Sequence, residues 1–203
     1  MATKKKTTAA PAPAAPTASP AQASLERFCD GGGTHEGFRF LRAWWQGDGP
    51  RPGIAGYVLK KLRPGDDPEF GRAARYDVLL PRAAPSEYMV PEHLLARYDE
   101  MLPLFARHAF AQITIDLDRS EPLHVGYERV RSYASSFTHS CHAVILVLHQ
   151  PALALSANAP HCHLIIPARF LTAGGFGAAA TALCSDPGHR SAWQAWQAHL
   201  VAN

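Results

Sequence analysis

Apolar and polar positions change rhythm several times along this chain, and each rhythm predicts an element. AQITIDLD (111–118) alternates apolar and polar residues with a period of two, the pattern of a half-buried strand. CHAVILVLH (141–149) is apolar on both faces, which predicts a strand inside a sheet with helices packed over it. HCHLIIPARF, from His161, reads as a further buried strand; FRFLRAWW (38–45) and YDVLL (76–80) supply two more. Elsewhere the spacing lengthens to that of helices. IAGYVLKKL has apolar residues at 54, 57, 58 and 62, one buried face of a short helix. PEHLLARYDEMLPLFARHAF (91–110) reads as a helix opened by Pro91 and kinked or split at Pro103. EPLHVGYERVRSYASSF (121–137) sets Leu123, Tyr127, Val130, Ala134 and Phe137 on one stripe. HRSAWQAWQAHL sets Trp193, Trp196 and Leu200 along one face of a closing helix. GDGPRPG (47–53), RPGDDPEFG (63–71) and GGFG (174–177) read as turns and loops.

The order is therefore strand, helix, strand, helix, strand, helix, two strands, helix. The loop QPALALSANAP between the last two strands is short enough to favour antiparallel pairing. This predicts an α+β fold, a mostly antiparallel central sheet packed with helices. Residues 1–24, MATKKKTTAAPAPAAPTASPAQAS, have no large aliphatic side chain to bury and are expected to be a disordered, basic Ala/Pro-rich tail. Residues 25–203 are expected to form one domain.

Lys4–Lys6 are followed by Ala-Pro repeats rather than an apolar segment, so they do not make a secretory signal. No apolar run approaches the roughly 18 residues of a membrane span, and the four cysteines show no CxxC spacing. A cytoplasmic protein with reduced thiols and no membrane insertion is the simplest expectation. The whole chain has 20 basic and 17 acidic residues, and without the three tail lysines the balance is 17 against 17. A formally neutral domain excludes binding nucleic acid through bulk charge. DNA contacts would have to come from local arginine clusters such as Arg72, Arg75 and Arg82, or Arg129 and Arg131, helped by the tail, although such clusters are more often ordinary solvated surface.

One cluster carries chemistry. Residues two apart on a strand share a face, so His161 and His163 point together and Cys162 points away. The preceding strand ends at His149; if the two strands are neighbours, three imidazoles meet at one end of the sheet. That is a metal site with open positions. Imidazole suits zinc, manganese, cobalt or nickel better than magnesium. Cys141, about 26 Å back along the strand from His149 at ~3.3 Å per residue, is not a fourth ligand. Histidines capping strand ends are the bland alternative.

PHCHLII entering a strand, with VLVLHQ ending its neighbour, resembles the histidine motif of the HUH endonucleases, most of all the MobA/MobL relaxases. FAQITIDLDR, YDVLLPRAAPSEY, and GFG followed by WQAWQAHL resemble further segments of that family, so the likeness spans roughly residues 38 to 200. The resemblance implies an HUH-relaxase-like fold and a metal-dependent, site- and strand-specific nickase that cuts and rejoins single-stranded DNA at a plasmid transfer origin. It implies a magnesium or manganese ion at His149, His161 and His163, with zinc as the alternative. It also implies relaxosome accessory proteins and a coupling protein as partners.

All six tyrosines precede His161, which is the relaxase order. On its residues alone Tyr57 reads as a core aromatic; the resemblance of GIAGYVLKKL to the family's tyrosine segment makes it the nucleophile, forming a 5′-phosphotyrosyl link. Tyr76 is the reserve candidate. Gln112 stands in QITI where the family often has an acidic residue, and the chain stops at Asn203, where relaxases commonly continue. A minimal nicking module is expected; an impaired relaxase-like module that only binds single-stranded DNA, or an unrelated three-histidine metal protein, are the alternatives.

Overall fold

The computed structural model describes residues 28–45, 51, 53–65, 72–154 and 156–202. The expected tail (1–24) and parts of the 47–53 and 63–71 loops lie outside them. The chain runs β1 (Phe28–His35), β2 (Phe38–Trp45), α1 (Ala55–Leu62), β3 (Arg75–Leu79), α2 (Pro91–Glu100), β4 (His108–Asp116) and α3 (Leu123–His139). It continues through β5 (Val144–His149), β6 (His161–Pro167), β7 (Arg169–Thr172), β8 (Gly175–Ala179) and α4 (Asp186–Ala202). Six strands form one sheet in the order β1-β2-β4-β6-β5-β3, every neighbouring pair antiparallel, and β7 and β8 pair as a separate hairpin. The fold is the expected one: α+β, an antiparallel central sheet packed with helices.

The strand period of two sorts the core into two layers. On one side Phe38, Ile113, Ile115 and Leu164 meet Tyr127, Val130 and Tyr133 of α3 and Trp196 of α4. On the other Phe110, Val147 and Ile165 meet Tyr57 and Val58 of α1 and Leu94, Leu95 and Tyr98 of α2. Each such side chain stabilises the fold by about 1.5–3 kcal/mol through burial, so the sheet is a stiff platform for whatever its upper end carries. The α1 apolar positions come out as read, with Ile54, Tyr57, Val58 and Leu62 all buried.

Several expectations are corrected. β1 was not anticipated: FCDGGGTH shows no apolar period, but it is an edge strand paired to β2 over its whole length. The helix from Pro91 ends at Glu100 rather than kinking at Pro103, and residues 108–110 belong to β4. β4 is buried along its interior rather than on one face, because its polar residues Gln112 and Thr114 are themselves covered. GGFG contributes a turn only at its start: Gly175 has a φ of 93° and opens β8. Leu200 is 45% exposed and leaves the expected stripe, while Trp196 is buried as read, Trp193 packs half-buried against the core and Ala192 joins them.

Candidate functional site

The site lies at the end of the sheet where β5 stops and β6 begins. Antiparallel register sets His149 directly opposite His161, and His163 beside Thr114 of β4 on the other flank. Parity puts the three rings on the α1 side of the sheet, while Cys162 enters the opposite core. One ring nitrogen from each histidine lies within 4.8 Å of those of the others. Each ring is held by a hydrogen bond: His149 Nε2 bonds the Lys61 carbonyl at 2.7 Å, His161 Nδ1 the Ala159 carbonyl at 2.9 Å, and His163 Nδ1 the Thr114 hydroxyl at 2.9 Å. The two carbonyls can only accept, so those imidazoles donate to them and leave Nδ1 of His149 and Nε2 of His161 as bare lone pairs. Outer hydrogen bonds of this kind set the tautomer a metal ligand needs.

Burial keeps two of these rings uncharged. Desolvation lowers His149 to about 4, with His161 and Lys61 adding repulsion against the pull of the Lys61 carbonyl. Desolvation likewise holds His163, 6% exposed, well below the ordinary imidazole value. Neutral imidazoles are the form that coordinates. The donor set therefore fits a divalent ion: a nitrogen from each of three rings comes within 4.8 Å of the others, each ring is held by a hydrogen bond, and His163 and His149 give up no proton on binding at neutral pH.

Tyr57 shares the cavity. A pocket of about 310 Å³ is lined by Tyr57, Lys60, Lys61, Pro64 and the three histidines. Helix α1 brings Tyr57 there, and two contacts fix it. The ring stacks on Phe110 at 4.9 Å between centroids, and the phenol donates to Gln112 Oε1 at 2.8 Å. Lys61 sits over the same ring, its Nζ 5.4 Å from the centroid, with burial lowering its pKa. At the start of α1 the Asp99 carboxylate of α2 accepts from the backbone N–H groups of Ile54 (2.8 Å) and Ala55 (3.2 Å). An anion at a helix N-terminus is favourable, and desolvation raises Asp99 while those two donors pull it down.

Three residues that sequence reasoning missed complete the surroundings. Thr114 backs His163, and Asp116, opposite His161 in register, is held by Arg39 through both terminal nitrogens at 2.7 and 3.2 Å. The parity of QITID carried a signal for Thr114 and Asp116, since both share Gln112's face; nothing local tied Arg39 to them. The three arginines separate. Arg72 lines a cleft of about 170 Å³ with His149, Pro64 and Leu153. Arg75 lies on the other side of the sheet, over the Tyr127 ring at 4.3 Å and bonded to Glu128. Arg82 follows β3 at the end of the sheet away from the histidines. Tyr76 is 48% exposed on β3 and does not line the cavity. Cys141 is exposed in the turn before β5.

No family model matches the chain, and no curated protein sequence matches it. Among the described residues no helix is long and apolar enough to cross a membrane. The fold does have a solved counterpart, from work on the molecular basis of vancomycin resistance transfer in Staphylococcus aureus. It superposes with a TM-score of 0.61 over 80% of this chain and 89% of that one, at 15% sequence identity. At that identity the likeness establishes a shared fold, and a shared fold is what the chain has with a protein of resistance transfer.

Proposed function

We propose that the protein is a relaxase of the MobA/MobL kind, a metal-dependent transesterase that nicks and rejoins one DNA strand at a plasmid transfer origin in the bacterial cytoplasm. The observation that carries this reading is the meeting of three oriented imidazoles and one phenol in a single cavity. The fold shared with a resistance-transfer structure agrees with it.

His149, His161 and His163 would hold the ion, magnesium or manganese by the resemblance and zinc by ligand type. Bound there, the ion would supply charge stabilisation to the non-bridging oxygens of one phosphate. The chain's residues do the rest. Tyr57, set by Phe110 and Gln112, is the nucleophile: its phenol oxygen bonds to phosphorus as the bond from phosphorus to the 3′ oxygen breaks. The phenol loses a proton, the 3′ oxygen gains one, and the 5′-phosphotyrosyl ester keeps the energy of the original linkage, so attack by a 3′-hydroxyl reverses the step. Arg72 is the candidate phosphate contact along the strand, and relaxosome accessory proteins and a coupling protein are the partners this role requires.

Gln112 favours a second reading. It accepts the phenol's hydrogen bond but cannot retain a proton, so the domain would grip single-stranded DNA without cutting it. One experiment divides the two. A labelled single strand, taken from DNA flanking the gene, is incubated with the protein and manganese. Nicking gives a covalent adduct that a chelator prevents and that Tyr57→Phe lacks. Tight binding with no adduct supports the second reading, and no binding at low salt leaves only a three-histidine metal protein.

A further inference from the structure

Beside the histidine cavity, on the same face of the sheet, lies a trough of about 390 Å³ whose walls come from β1, β2 and β4 alone. Register makes the placement firm. Thr34 pairs with Arg39, Arg39 with Thr114, and Thr114 with His163, so one row of side chains runs from the sheet edge to the histidine site. Leu41 pairs with Gln112 one step along, in a parallel row. Two hydrogen bonds join the trough's wall to the cavity's: Thr114 to His163, and Tyr57 to Gln112.

The glycines of β1 keep this trough open. A Cβ on Gly32 would sit 1.8 Å from the Phe40 carbonyl oxygen, so no side chain can stand there without moving backbone. Gly33 is empty for the opposite face, where His189 of α4 would lie 1.9 Å from any added Cβ. The glycine run thus leaves a bare strand edge above and a close helix contact below.

The lining decides what would fit. It offers two hydroxyls (Thr34, Thr114), a carboxamide (Gln112), the planar guanidinium of Arg39 and the apolar flank of Leu41. Arg39 is already neutralised by Asp116 across two hydrogen bonds. A phosphate would find little net charge to pair with there. A planar, uncharged group rimmed by donors and acceptors would find a surface to lie on and edges to bond, which describes a nucleobase.

We infer that this trough is a base-reading subsite, holding one unpaired nucleobase next to the phosphate that the histidines and Tyr57 address. The inference rests on the nicking reading and extends it: selectivity for the cut site is read here in part. Thr34, exposed on an edge strand, sets the trough's outer limit, and Thr34→Trp fills the space without touching the core.

The test uses the full chain carrying Tyr57→Phe, so that the strand is not consumed. The probe is the single strand used for nicking, with an abasic residue moved through each position on both sides of the linkage. At one position on one side the abasic probe binds about tenfold more weakly, the scale of a lost base contact. Adding Thr34→Trp weakens the intact probe to a similar extent and removes the further loss at that position; Arg39→Gln, a smaller change, weakens the same position selectively. A flat abasic profile, or a profile unchanged by Thr34→Trp in a chain whose circular dichroism is that of the parent, overturns the subsite. An adduct formed by the chain with Tyr57 intact, alongside such a flat profile, overturns the subsite alone. Neither binding nor adduct overturns the nicking reading beneath it.

Discussion

From the Tyr57 phenol to the His163 ring runs a chain of side-chain contacts: Tyr57 to Gln112 at 2.8 Å, Gln112 to Thr114 at 3.4 Å, Thr114 to His163 at 2.9 Å. Gln112 and Thr114 are each 6% exposed, so the polar groups of this chain satisfy one another out of water. The chain couples the orientation of the nucleophile candidate to that of a ligand candidate, and it does so through residues two apart on one strand. The same burial makes the site acid-labile. An unfolded imidazole titrates near 6.5, whereas His149 in the folded chain titrates at about 4. Between those values the unfolded chain binds a proton that the folded chain refuses, so stability rises with pH across the window and is lost as pH falls from about 6.5 to about 4. Urea midpoints taken at intervals from pH 7 to pH 4 should fall for the parent and fall less for His149→Leu. Equal losses in both would show that His149 refuses no proton. The histidine trio was legible because strand parity is a local rule. Lys61 and Thr114 were less so: the carbonyl that orients His149 belongs to a helix 88 residues away in sequence.

Elements with a strong period were read correctly, and those without one were not. α1 buries its read positions and α3 buries Tyr127, Val130 and Ala134 of its stripe with Tyr133 added, while β5 starts at Val144 rather than Cys141 and β6 ends at Pro167 before ARF enters β7. β1 failed because glycine carries no hydrophobic signal, and its value lies in what a missing side chain permits on each face. The 91–110 segment was read too long because HAF continues the helical rhythm, while its backbone pairs in β4. The element that matters most for function is α1, and its start is held from outside. Ile54 and Ala55 give their N–H groups to Asp99, and Gly53 leaves room for that carboxylate, which a Cβ would meet at 2.0 Å. Removing the acceptor should cost what loss of a helix N-terminal cap costs. Asp99→Ala is expected to lower stability by about 0.5–2 kcal/mol and to reduce adduct formation more than a remote substitution of equal cost does. Denaturant titration together with adduct yield measures both, and full yield at lowered stability would show that α1 needs no such anchor.

Across the whole molecule the sheet divides the charges as well as the core. Arg72, beside His149, faces the side where a strand would run; Arg75, over Tyr127 with Glu128, faces the opposite helices. In sequence the two are three residues apart and indistinguishable. Single-stranded DNA binding should therefore respond to one and not the other: Arg72→Ala is expected to weaken binding and lower the salt slope by about one, Arg75→Ala to leave both as they were. Equal effects in a salt titration would place the strand elsewhere.

The amino-acid order alone determined which residues share a face of their own element, because the periods of 2 and 3.6 are properties of the local backbone. That was enough to bring His161 and His163 together, to turn Cys162 away, and to expect His149 opposite them. The tertiary structure decided which faces meet: that β4 lies between β2 and β6, that α1 covers the histidine end, and that Arg39 finds Asp116. Those choices depend on how two apolar layers close over one sheet, a property of the packed chain that no single stretch of it contains.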